Sequence, residues 1–129
     1  MSIDRQGFVG VFPEPLERRS IEGLIGIWLE RYGSVEQAAG RGAEALTIPI
    51  RASADVAWNG SIEFRVSCGE QFAWVYITPG HRVIETSGLT PQNGDSLCHD
   101  VLVDLPGCRE IVNDHDDRRL DQLEAEGLM

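Results

Sequence analysis

The chemically versatile side chains of this chain gather in one stretch: Cys98-His99-Asp100, then Asp104, Cys108, Asp114, His115 and Asp116. Thiolate, imidazole and carboxylate all ligate zinc or iron, and Cys98, His99 and Cys108 lie close enough in sequence to converge around a turn. Against that, the spacing matches no structural zinc pattern, and neighbours such as Cys98 and His99 on an extended strand point to opposite faces. The plainer expectation buries Cys98 and Cys108 as small hydrophobes and leaves His99 and His115 at a polar surface. No cofactor is therefore expected, with a metal held by Cys98, His99 and Cys108 as the lesser alternative.

Two further kinds of catalysis are compatible with the residue types. Cys68 or Cys98 with His81, His99 or His115 and an aspartate could form a nucleophilic set, but that chemistry depends on spatial relations that no local spacing here supplies. Proton transfer needs one positioned histidine or carboxylate, and His81, Asp55 and Glu85 are the candidates. Glu63 and Glu85 could act as paired carboxylates; beside Arg65 on exposed strands they read instead as salt-bridge partners. The glycines form neither a phosphate loop nor a dinucleotide fingerprint. All eleven basic residues are arginines, which removes Schiff-base chemistry and a lysine general base from the candidate mechanisms.

The formal net charge is −10, and residues 99–129 hold nine acids against Arg109, Arg118 and Arg119, a local net of −6. Such a surface repels phosphate backbones and attracts basic proteins, so the expected partner is a basic protein and not nucleic acid. The most apolar stretch is broken by Glu70, Gln71, Pro79, Gly80, His81 and Arg82, well short of the roughly 18 apolar residues of a membrane helix; no membrane association is expected. The first residues carry no basic patch leading into an apolar run, which makes the cytoplasm the expected location. Three cysteines do not make a disulfide framework and read as thiols.

The elements that must position these residues follow from periodicity. The length fits a single domain, residues 1–129, with any disorder at the ends. Phe8 to Phe12 alternates poorly and reads as an extended lead-in. Ile21, Leu24, Ile25, Trp28, Leu29 and Tyr32 recur at helical spacing, and Gly33 stops that helix. Ser34 with Gln37 has the spacing of a capping box and predicts a short second helix through Ala39. Leu46–Arg51 and Asp55–Trp58 are short strand candidates, the first an edge because of Pro49. The clearest pattern is a meander, Ile62–Ser67, Phe72–Thr78 and Arg82–Thr86, joined by short turns. Both faces of Phe72–Ile77 are apolar, which predicts a central strand covered on both sides, with the Trp28 helix on one. Residues 87–96 are rich in turn formers and read as a loop, Val101, Val103 and Leu105 as a fourth strand, and Leu120 and Leu123 as the apolar stripe of an acidic final helix. Together these predict an α+β fold: N-terminal helices packed on a small, largely antiparallel sheet, with a C-terminal acidic helix.

The leading functional expectation is an acidic, noncatalytic binding, inhibitory or accessory protein acting on a basic protein. Trp58, Trp74 and Tyr76 would anchor the contact, and Asp116, Asp117, Glu124 and Glu126 would supply its charge. One alternative is a small enzyme with a pocket between helices and sheet, lined by Trp28, Trp74 and Tyr76. The other is a structural homo-oligomer built on an unpaired strand edge or a broad apolar face.

Overall fold

The computed structural model describes residues 3–39, 46–50, 56, 61–91 and 97–128. Along them run strand β1 (Ile3–Val11), helix α1 (Arg18–Tyr32), β2 (Ser34–Ala39), β3 (Leu46–Pro49), β4 (Ile62–Cys68), β5 (Gln71–Ile77), β6 (Val83–Pro91), α2 (Leu97–Val103), β7 (Glu110–Asn113) and α3 (Asp117–Ala125). Seven of these described elements form one sheet in the order β3-β2-β4-β5-β6-β1-β7, and every neighbouring pair is antiparallel.

Helix α1 forms where its apolar period demands, with Ile21, Leu24, Ile25 and Trp28 buried on one face. Gly33 ends it in the left-handed region at φ 80°, a conformation cheap for a residue without Cβ, and its N–H donates to Leu29 O at 2.9 Å. The chain turns there directly into β2.

Helices α1 and α2 lie on one face of the sheet. Beneath them Val35, Ile62, Phe64, Val66, Ala73, Val75, Ile77 and Ile84 join Trp28, Val101 and Leu102 in the main core. Helix α3 covers the opposite face at the β6-β1-β7 end, where Leu123 packs with Val9, Val11, Val83 and Val112. Gly88 on β6 lets α2 approach closely: a Cβ there would sit 2.6 Å from Phe72 O and 2.8 Å from Cys98 Sγ.

The fold-class expectation needs correction. The sheet is large, not small, and among the described residues a single N-terminal helix, α1, packs on it. Ser34–Ala39 is strand β2, because pairing in register with β4 on one side and β3 on the other outweighs a capping-box spacing that no helical apolar stripe supports. The lead-in at Phe8–Phe12 belongs, as far as Val11, to β1, an interior strand between β6 and β7. Residues 87–91 continue β6 because that long partner stands alongside, in register from Ile3↔Pro91 to Val11↔Val83. Val101 and Val103 lie in α2, whose buried Leu97, Cys98, Val101 and Leu102 show a helical rather than an alternating period. The C-terminal acidic helix is present as α3. The strand candidate at Asp55–Trp58 lies outside the described residues except Val56, which is buried.

Candidate functional site

The register of the meander aligns side chains in rows on the face turned away from α1 and α2. Tyr76 stands directly opposite Glu63 on β4 and Glu85 on β6, giving the row Glu63–Tyr76–Glu85. The next row is Glu36–Arg65–Trp74–Ser87. Phe72 follows, opposite Ser67. Directly opposed residues share a face, so Phe72, Trp74 and Tyr76 form one aromatic line flanked by polar and charged positions. Phe72 and Trp74 are half-buried and Tyr76 is 37 % exposed, while Ala73, Val75 and Ile77 on the same strand are fully buried. Both faces of β5 are apolar, as its sequence indicates, but both nearby helices cover the same one.

Arg65 occupies the middle of this face. Its guanidinium carbon lies 5.9 Å from the ring centroids of both Phe72 and Trp74, and Nη2 donates to Glu36 Oε1 at 3.0 Å. Arg65 thus pairs with Glu36, not with the Glu63 or Glu85 that sequence proximity favours. The arrangement joins a cation–π contact to an ion pair.

A cleft of about 180 Å³ opens beside the aromatic line, bordered by Tyr76, Thr78, His81, Val83 and Glu85. The turn that carries His81 is fixed by backbone bonds: its N–H donates to Thr78 O at 3.0 Å, and Leu16 N–H donates to His81 O at 2.8 Å. The structure therefore brings His81 and Glu85 to one cleft with Tyr76, and both stay exposed. Trp28 is on the other side of the sheet, buried with its indole N–H bonded to Val101 O at 2.9 Å, so it lines no pocket with Trp74 and Tyr76. Between sheet and helices, Thr86 is the buried polar side chain among the described residues, donating to Cys98 O at 2.9 Å. Asp55 and Trp58 lie outside the described residues.

The acidic segment is divided in its roles. Asp116 caps α3 by accepting from Arg119 N–H at 3.2 Å, and Asp117 sits in the first helical turn, where the dipole favours a negative charge. Arg119 makes a two-pronged bond to Glu110, at 2.7 and 2.8 Å, and lies 4.0 Å from Glu126. Those bonds hold the Glu110 carboxyl below the usual carboxylate range and raise the guanidinium further. Leu123 is fully buried against the sheet, leaving Asp117, Asp121 and Glu124 exposed beside it.

The proposed metal ligands occupy separate settings. Cys98 is buried in α2, His99 meets Phe8 edge-on at 5.2 Å, and the Cys108 thiol donates to Glu110 O at 3.4 Å with its pKa pushed up by burial. Among the described residues no group of three histidine, cysteine or acidic side chains is placed to hold a metal ion. No described helix is long and apolar enough to cross a membrane.

A second cleft, of about 630 Å³, lies at the end of α1 and is lined by Ile27, Glu30, Arg31, Tyr32, Cys68 and Asp104. Tyr32 OH donates to Asp104 Oδ2, and Arg31 Nε forms an ion pair with the same oxygen at 3.0 Å; burial and then the carboxylate raise the phenol's pKa. Sequence reasoning missed this joint and the pairing of Glu63 with Tyr76. The second was within reach, because Gly69-Glu70 between Cys68 and Gln71 is a two-residue turn that sets the register of the hairpin.

No protein-family model matches the chain, and neither the curated proteins nor the solved structures contain a match.

Proposed function

We propose that this chain is a noncatalytic binding protein, of an inhibitory or accessory kind, that holds a basic protein against the outer face of β4, β5 and β6. The observation that carries this reading is the partly exposed line of Phe72, Trp74 and Tyr76 on a face edged by carboxylates. Aromatic anchors inside a polar rim are the usual composition of protein contact surfaces. A net charge of −10 adds long-range attraction for a cationic partner. The carboxylates of α3 serve that attraction from beside the face, while Leu123 fixes the helix to its own sheet.

The cleft containing His81 and Glu85 favours a second reading, proton-transfer catalysis. Both groups are exposed to water, which a proton-transfer site excludes, so binding is the better supported of the two.

The test is co-purification from the native host, identification of the partner, and hydrogen exchange on the purified complex. Added protection at residues 72–76 and 83–87 is expected, with an association rate that falls as salt rises and in a D117N/D121N/E124Q variant. Asp116 is left intact in that variant because it caps α3. Protection confined to α1 or β3, or association indifferent to salt, overturns the reading.

A further inference from the structure

We infer that the cleft at the end of α1 binds a free α-amino acid, whose carboxylate meets Arg31 and whose ammonium meets Asp104 and Glu30. The cleft holds about 630 Å³, within the range of small-molecule sites, and its lining includes no residue of the aromatic line on β5. The inference is therefore independent of the partner proposed above.

Asp104 is fixed by the fold and only half used. It is 16 % exposed, accepts from Tyr32 OH and pairs with Arg31 Nε, both through Oδ2. Among the described residues Oδ1 has no hydrogen-bond partner, although an ionised carboxylate accepts at both oxygens. Arg31 is used as sparingly: the ion pair takes up Nε of a five-donor fork, and 63 % of the side chain is exposed. Glu30 lines the same cleft and is exposed. The last turn of α1, which carries all of Glu30, Arg31 and Tyr32, adds the negative end of the helix dipole beside an incoming ammonium.

A guanidinium and a carboxylate 3.0 Å apart in one cleft select a ligand by its charge pattern. A simple cation drawn to Asp104 is repelled by Arg31 at a similar distance, and a simple anion drawn to Arg31 is repelled by Asp104. A ligand that carries both charges side by side engages both groups at once. The carboxylate and ammonium of an α-amino acid flank a single carbon and so meet that requirement. The half-buried Ile27 side chain and Tyr32 ring give an apolar amino-acid side chain a surface to lie against.

The test titrates the full, isotope-labelled chain with L-leucine, N-acetyl-L-leucine and L-leucinamide, following amide shifts. Each derivative lacks one of the two charges, and one exposed ion pair amounts to about fivefold in affinity. Leucine is therefore expected to shift the amides of residues 30–33, 68 and 104 and to bind about fivefold more tightly than either derivative. Arg31→Gln should weaken leucine about fivefold and leave leucinamide, which has no carboxylate to lose, no weaker. Glu30→Gln should weaken leucine and leucinamide alike and spare N-acetyl-leucine, which has no ammonium. These crossed responses separate contact with the ligand from a structural role of either residue. A dispersed spectrum checks folding, and if Arg31→Gln does not fold, Glu30→Gln carries the comparison. Absence of a saturable shift with leucine, shifts confined to residues outside the cleft, or equal affinities for the three compounds overturn the site. So does a folded Arg31→Gln chain that still prefers leucine to leucinamide, or a folded Glu30→Gln chain that weakens all three compounds equally.

Discussion

The indole nitrogen of Trp28 donates to the carbonyl oxygen of Val101 at 2.9 Å, with both residues fully buried, and so ties α1 to α2 across the covered face of the sheet. The bond meets a need created by the end of α2, where Leu105 N–H donates to Leu102 O, tightening the last turn instead of continuing the α-helical ladder.

Replacing Trp28 separates packing from hydrogen bonding. Trp28→Ala removes a fully buried ring and should lower stability by about 3–5 kcal/mol. Trp28→Phe keeps most of the apolar volume but strands the Val101 carbonyl, for a loss of about 1–3 kcal/mol. Urea unfolding of both variants checks the order; equal stability of wild type and Trp28→Phe would show that the bond contributes nothing.

Two glycines should respond in opposite directions to the same change. Gly88→Ala forces a methyl group against Phe72 O and Cys98 Sγ and is expected to destabilise by about 1–3 kcal/mol. Gly23, inside α1, has nothing within 4 Å of a built Cβ, so Gly23→Ala should stabilise by about 0.5–1 kcal/mol. Thermal unfolding of the two variants gives the signs, and a neutral Gly88→Ala would reject the close approach of α2.

The bond between Glu110 and Arg119 has a pH signature. Because Glu110 titrates lower when folded, its contribution is present above the unfolded value of about 4.3 and disappears as pH falls through the lower folded value. The stability difference between wild type and Glu110→Gln should therefore be constant above about pH 5.5 and shrink below about pH 4. The pair is partly exposed, so the difference is small and salt-sensitive. A difference that stays constant down to about pH 3 would rule out the linkage.

Local pattern alone sufficed where each strand pairs with its sequence neighbour. The meander from Ile62 to Thr86 is legible because alternation and short turns act within one hairpin of each other. Helix α1 is legible from its apolar stripe and from Gly33. What failed depended on distant partners: Ser34–Ala39 becomes a strand because β4 lies beside it, and residues 87–91 because β1 does. In the site, the aromatic line and the acidic helix could be read from sequence. Which face the helices would cover could not, and that choice decides whether Phe72, Trp74 and Tyr76 are core or partly exposed. Asp116 is the other instructive position, since a capping role and a binding role demand the same residue type.

Strand β1 lies between β6 and β7 in the sheet, and its nearest register partner on β6, Val83 opposite Val11, stands 72 positions further along the chain. During synthesis it is therefore made early and waits, unpaired, while the meander that will receive it is still being translated. The central hairpins close over short loops, whereas seating β1 requires one of the longest loop closures in the molecule, the kind of contact that slows folding. Until β6 and β7 flank it, its backbone donors and acceptors are open to any other extended chain nearby.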